Sequence, residues 1–307
     1  MHIDREVDLL IAGAGPAGMT AALVASLEGL DVLLCEKSDQ VRGHWIDLRR
    51  DTLDSGQSSE PSRRFRRQRR TSRYVSDRAD RAGTNRETRD AYLQTGPAAI
   101  DYLCAYTDVQ VIPCGPHPDY RSNIPGAAIA GRAIVPEPFD ARLLGDEFRR
   151  IRPPIPEFMV FGGMMVGKAD IAPLIGRFRS IANFIHSARL FVRYLADRLK
   201  YPRGTRLTMG NALVGRLFYS LRRRGVPILF DASIVDAMGD RHGVVGARVN
   251  VGGTEIEIRA RKGGHPRDRQ LRAQQTLSRR FHAPTGSCAF NELRGQSRRR
   301  GAISASG

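Results

Sequence analysis

A short apolar run, Val7-Asp8-Leu9-Leu10-Ile11-Ala12, leads directly into Gly13-Ala14-Gly15-Pro16-Ala17-Gly18 and then into Met19-Thr20-Ala21-Ala22-Leu23-Val24-Ala25. The order is strand, glycine turn, helix. The helical composition ends near Gly29, and Asp31-Val32-Leu33-Leu34-Cys35-Glu36 reads as a second buried strand closing on an acid. This β-α-β unit commits the start of the chain to an α/β, Rossmann-like fold.

The three glycines divide the mechanical work of such a turn. Gly13 permits the tight reversal, Gly15 lets a pyrophosphate approach the backbone, and Gly18 lets helix and strand pack closely. With Ala14, Pro16 and Ala17 between them, they set the helix N-terminus against phosphate charge. Glu36 follows about twenty residues later, where a strand-end carboxylate accepts the ribose hydroxyls of an adenosine and disfavours a 2′-phosphate. These residues leave FAD and NAD open and set NADP aside.

Lys37 makes the strand end Glu-Lys. The succession from Asp8 to Lys37 resembles the FAD-binding opening of the flavoprotein family that contains fumarate reductases and 3-ketosteroid dehydrogenases. The resemblance implies FAD as the cofactor, held by Gly13, Ala14, Gly15, Pro16, Ala17, Gly18, Glu36 and Lys37. It also implies backbone contact with adenine at the position of Ile234, which lies in Ala232-Ser233-Ile234-Val235.

Two stretches, residues 42–72 and 264–307, break the pattern. The family continues from its Glu-Lys with a Gly-Gly-Thr-rich loop over the flavin and a strand containing Leu-Trp-Ile-Pro, whereas this chain gives Arg42-Gly43-His44-Trp45-Ile46-Asp47. Residues 42–60, back-translated with free synonymous choice and read one nucleotide later, yield a Gly-Ala-Thr-Gly stretch and then Leu-Trp-Ile-Pro. The offset reading of 64–72 joins onto Arg73-Tyr74-Val75 as one amphipathic helix, so the frame is expected to be restored near Arg73. From there Thr84 to Leu93 and Gly96 to Leu103 look like the family's helices. A second departure falls near Gly263, where the offset reading gives an Ala-Thr-Gly turn like the one the family places against FAD. We expect two compensating frame changes and a third that ends the chain, with loss of the flavin loop, the second FAD turn, the base and the activity.

Net charge is +17, which by itself suggests nucleic acid or an anionic surface. Location changes that reading. Residues 42–72 hold nine Arg against four acids and residues 264–307 nine Arg against two, so twelve of the seventeen excess charges fall in the two anomalous stretches. The run from Arg63 to Arg70 is the best nucleic-acid patch the chain offers, but GC-rich codons read out of frame give Arg, Gly, Pro and Ser without any partner. Nucleic-acid binding is therefore the alternative from another class and is not expected. The four cysteines, Cys35, Cys104, Cys114 and Cys288, have neither metal spacing nor a disulfide pattern. No metal is expected. Neither a signal peptide nor a membrane-length apolar run is evident, and a cytoplasmic location is expected.

The middle third carries Pro116-His117-Pro118-Asp119-Tyr120, Ile124-Pro125-Gly126, Gly131-Arg132, Pro136-Glu137-Pro138-Phe139-Asp140 and Leu143-Leu144-Gly145. This succession resembles 3-ketosteroid Δ1-dehydrogenases more than fumarate reductases. The resemblance places Tyr120 at the active-site tyrosine that hydrogen-bonds a second tyrosine acting as base. A phenol has a pKa near 10, so such a base needs a neighbouring hydroxyl and a local field. His117, between prolines, reads as solvent-facing. His186 lies in a segment, residues 181–195, whose apolar residues recur at helical spacing; it reads as a helix packed on the core, with membrane contact through Arg189, Arg193, Arg198 and Lys200 as the lesser alternative.

Residues 203–214 resemble the glycine-rich lead-in to the family's next helix, and strands follow at 228–230, 243–249 and 255–260. The expected organisation is therefore an FAD-binding domain from residues 1–111 and 203–263, an inserted and largely helical segment at 112–202, and a tail at 264–307. The function implied is FAD-dependent dehydrogenation of a 3-oxosteroid, with a fumarate-reductase-like enoate reductase as the alternative.

Overall fold

The computed structural model describes residues 4–41, 86–119, 122–130, 133–241 and 243–264. Both anomalous stretches lie outside these residues, apart from Gly264, and so does Tyr120. Contacts group the chain into two compact units, one running to Gln40 and resuming at Leu221, the other from Val41 to Ser220. The boundaries expected from the sequence, 111/112 and 202/203, instead follow the resemblance to the family. The second boundary of the compact units falls inside the helix Met209–Arg223.

In the first unit, strands Leu9–Ala12 and Val32–Cys35 pair in parallel, and Ile228–Leu229 adds in parallel on the far side of Val32–Cys35. The helix Pro16–Leu27 is the crossover between the first two. These strands read as unbroken apolar runs because both faces are covered. Leu10, Leu33 and Cys35 point into a core shared with Val249, Ile258 and Ala260. Leu9, Ile11, Val32 and Leu34, one residue out of phase, are buried on the other face.

The shared core comes from a second sheet, in which Ala232–Asp240, Gly243–Val251 and Thr254–Ala260 form an antiparallel meander and Arg5–Val7 adds in parallel to the last. The first helix ends with Leu30 N–H on the Ala25 carbonyl and Gly29 N–H on the Ser26 carbonyl. Val226 with Leu221, and Gly225 with Arg222, repeat that arrangement after Arg223. Both are Schellman terminations, which satisfy the last carbonyls and turn the chain into the next strand.

The second unit contains the helix Arg86–Tyr106, the pairs Val111–Pro113 with Ile134–Pro136 and Phe139–Asp140 with Arg206–Leu207, and the helices Lys168–Ile175 and Ile181–Arg198. Arg86–Tyr106 is one continuous helix where the sequence suggested two, and it carries Pro97 in its interior. Its missing N–H removes one hydrogen bond without ending the helix.

Ile181–Arg198 is helical, as its periodicity demands, but it is turned the other way from the expected core packing. Its buried residues are Ser187, Tyr194 and Asp197, while Ile181, Phe184, Val192 and Leu195 are at least half exposed. The inward polar groups are matched: Ser187 Oγ donates to the Pro173 carbonyl, Tyr194 Oη to the Phe161 carbonyl, and Asp197 accepts from the N–H and hydroxyl of Thr205. Those hydrogen bonds hold the polar face inward and leave the apolar stripe outside.

Candidate dinucleotide-binding site

The glycine turn of the first unit is built by close approach. Gly13 has φ +89, a left-handed conformation that a side chain disfavours. Its N–H donates to the Cys35 carbonyl at 2.7 Å, which fixes the turn to the second strand. A Cβ on Gly18 would lie 2.0 Å from the Gly13 oxygen, so only hydrogen fits where helix and turn meet. Gly15 is the N-cap and Pro16 the first helical residue. Proline suits that place because its missing N–H would have had no acceptor in the helix anyway. Among the described residues no side chain caps this N-terminus, and the first turn contains no acid. The amide groups at Ala17 and Gly18, and the positive end of the helix dipole, are left for an anion.

Glu36 lies beside this turn and is 5% exposed. Its Oε2 accepts from the Ala14 N–H at 2.8 Å, and its Oε1 accepts from the N–H and hydroxyl of Ser38 at 3.1 and 3.0 Å. These donors explain how a carboxylate sits almost out of water. A carboxylate offers about four acceptor positions, so one on Oε2 remains for a ribose hydroxyl. Lys37, the next residue, is exposed.

Ile234 is two residues beyond Ala232, whose N–H donates to the Glu36 carbonyl. Ile234 stands opposite Val249 in the meander, with its side chain against the core. The register then slips: Asp236 stands opposite Arg248, so Val235 is an extra residue. Such a bulge leaves the extra residue's backbone out of the ladder. Ser38 and Val235 were not singled out in the sequence. A Ser two residues after a strand-end acid was a visible signal for the first; nothing in the sequence marks the bulge.

These residues fit the adenosine diphosphate half of a dinucleotide. The N-terminus is uncapped, the acid is oriented, and the bulged backbone lies two to three residues from that acid's strand.

The remaining candidates belong to the second unit. Asp119 Oδ2 accepts from the Ala128 N–H at 2.9 Å, pinning the loop just before Tyr120. His117 is half-buried and not fully solvent-facing. His186 Nε2 lies 3.0 Å from Asp170 Oδ1, and Arg206 reaches the same carboxylate at 2.8 and 3.3 Å. Burial pushes the Asp170 pKa up, but the Gly167 N–H, Arg206 and His186 outweigh it and hold the group below its ordinary value. His186 thus serves an ion-paired network. Among the described residues no cluster of three or more His, Cys, Asp or Glu could hold a metal. Nor is any described helix long and apolar enough to cross a membrane.

Turn, acid and parallel sheet define a dinucleotide-binding α/β protein. More specifically, residues 8–276 match the FAD binding domain family, and the chain belongs to it. FAD is the cofactor this family binds. A 4-oxocyclohex-2-ene-1-carboxylate 5-dehydrogenase from Sinomonas cyclohexanicum is 28% identical over 264 residues, spanning 83% of this chain and 43% of its own length. A 3-oxosteroid 1-dehydrogenase from Mycolicibacterium smegmatis is 27% identical over 277 residues, or 84% and 46% of the two chains. The crystal structure of a 3-ketosteroid Δ1-dehydrogenase from Sterolibacterium denitrificans, in complex with 1,4-androstadiene-3,17-dione, is similar with a TM-score of 0.72 and 26% identity over 84% of this chain and 46% of that one. The chain spans less than half the length of these relatives.

Proposed function

We propose that this chain serves an FAD-dependent dehydrogenase that oxidises a ring carbon–carbon bond beside a ketone, with a 3-oxosteroid as substrate. The observation that carries this reading is the Ala14–Glu36 hydrogen bond at the glycine turn, in a chain similar to dehydrogenases that are themselves named for ring ketones. Bound FAD would supply the acceptor, taking hydride at N5 from the carbon two bonds from the carbonyl carbon.

The chain's own contribution begins at the turn. The amides of Ala17 and Gly18 bind pyrophosphate, Glu36 accepts a ribose hydroxyl, and the backbone at Ile234 and Val235 meets adenine. Lys37, exposed beside Glu36, adds positive charge near the phosphates. Tyr120 positions the phenol that removes the proton next to the ketone, by donating its own hydroxyl hydrogen to that oxygen. A phenol so bonded loses its proton more readily, which brings an ordinary pKa of about 10 toward neutrality.

We also propose that residues 42–72 and 264–307 are read from another frame of a gene for this family. Their excess arginine and the offset Leu-Trp-Ile-Pro and Ala-Thr-Gly motifs support it.

The chain as given should leave bound FAD oxidised, so the test is anaerobic mixing of the FAD-loaded protein expressed from the frame-restored gene with a 3-oxosteroid saturated at C1–C2, and separately with 4-oxocyclohexanecarboxylate. Loss of the oxidised flavin band with the steroid, slowed by Tyr120→Phe, is the expected result. Bleaching by the carboxylate alone would move the substrate to small cyclic ketones, and no bleaching by either would refute the proposed activity.

A further inference from the structure

The outward face of Ile181–Arg198 is the feature that the dehydrogenase reading leaves unused. Ile181, Phe184, Ile185, Ala188, Val192 and Leu195, at relative positions 0, 3, 4, 7, 11 and 14, fall within about 100° of one another around an α-helix. Phe178 before the helix and Leu199 after it extend this stripe and are 80% and 91% exposed. Five turns of contiguous apolar surface are far more than the scattered exposed side chains normal for a protein surface.

The helix and the residues flanking it in sequence are basic. Residues 168–200 contain seven Lys or Arg and two acids, Asp170 and Asp197. Both acids are buried, at 2% and 4% exposure, and both are engaged inward. Neither acid of this stretch faces outward. Beside the stripe an open groove of about 510 Å³ has Phe184, Ile185 and Val192 on its apolar side and Arg142, Arg189 and Arg193 on the other. Arg142 and Arg193 pair with Asp140, while Arg189 is exposed and forms no ion pair with the described residues.

We propose that this face docks on an anionic membrane surface, the apolar stripe entering the boundary between headgroups and acyl chains and the flanking arginines meeting lipid phosphates. A second copy of the chain would set arginine against arginine. A zwitterionic surface would leave the basic flank without net negative charge. An amphipathic helix lying in the interface requires both features found here, apolar area and flanking cations. The inference rests on this helix alone and does not depend on the proposed reaction.

The test is co-sedimentation of the full chain with vesicles of phosphatidylcholine, alone or mixed with phosphatidylglycerol. Binding to the mixed vesicles is expected, and at least about tenfold weaker binding to phosphatidylcholine alone. The triple variant Phe184→Ser, Val192→Ser, Leu195→Ser changes only exposed side chains and leaves net charge unaltered; it should lose about a hundredfold in binding. Arg189→Glu with Arg198→Glu should lose about tenfold or more and flatten the salt dependence. Undiminished binding by the triple variant would mean adsorption through net charge and would overturn the proposal. So would absence of wild-type binding to the mixed vesicles, or a triple variant that alters only the oligomeric state in light scattering.

Discussion

The Ala14 N–H donates to Glu36 Oε2 at 2.8 Å across 22 residues of sequence. One hydrogen bond thus joins the glycine turn to the end of the second strand and holds the acid against the turn. Glu36→Gln preserves size but removes the charge, and should weaken FAD binding about tenfold in a fluorescence titration. Glu36→Ala additionally strands the N–H groups of Ala14 and Ser38, while the Ser38 hydroxyl keeps the Gln40 carbonyl, and should lower unfolding free energy by about 1–3 kcal/mol in a urea titration.

Gly13 and Gly18 should respond differently to alanine. Gly13 has positive φ but nothing within 4 Å of its would-be Cβ, so Gly13→Ala carries mainly the backbone penalty of about 1–2 kcal/mol. Gly18→Ala meets the Gly13 backbone oxygen at 2.0 Å, which forces helix and turn apart. It should lose most FAD binding while Gly13→Ala keeps a measurable fraction, both read from flavin retained after desalting.

Asp170 makes stability depend on acid. Its folded pKa is held below 3.8, so the unfolded chain takes up the proton first as pH falls. The stabilisation is fully present above about pH 4 and is lost as pH drops through the folded value. Asp170→Asn should lower Tm at neutral pH, where Arg206 and His186 lose their carboxylate, and should flatten the fall in Tm below about pH 4. A variant whose Tm keeps the wild-type acid slope would place the sensitivity elsewhere.

Burial pushes the Cys35 thiol up to about 12. Reaction with a disulfide reagent needs thiolate and access. Cys35 should therefore label only on unfolding, while the partly exposed Cys104 and Cys114 label in the native protein. Mass spectrometry of the tryptic peptides distinguishes them.

Sequencing the gene across codons 38–76 and 258 to the stop tests the frame proposal. Single-nucleotide differences that restore Leu-Trp-Ile-Pro and Ala-Thr-Gly are expected. A confirmed read from independent DNA would refute a sequencing origin and point to decay within the gene itself.

The glycine turn was legible in the sequence because its constraint is steric and local: Gly13, Gly18 and the following apolar strand admit little else. The last strand of the meander was legible from the alternation at Glu255 to Ala260, whereas its first, Ala232–Asp240, was not read as a strand. The bulge at Val235 was not, since it is a mismatch of register between two strands and neither carries a residue that demands it. The orientation of Ile181–Arg198 was hidden for another reason. Periodicity reports that a helix has two faces, but which one turns inward here depended on partners for Ser187, Tyr194 and Asp197 at residues 173, 161 and 205. Tyr120 rests on resemblance alone, because it falls outside the described residues.

The most direct measurement is titration of the purified chain with FAD and, in parallel, with FMN, which has the same flavin but no adenosine. Saturable binding of FAD at about one equivalent, much weaker binding of FMN, and a narrowing of that difference by about tenfold in Glu36→Gln are expected from a site built around the glycine turn and its acid. A folded chain that binds neither flavin, or binds both equally, would contradict that assignment.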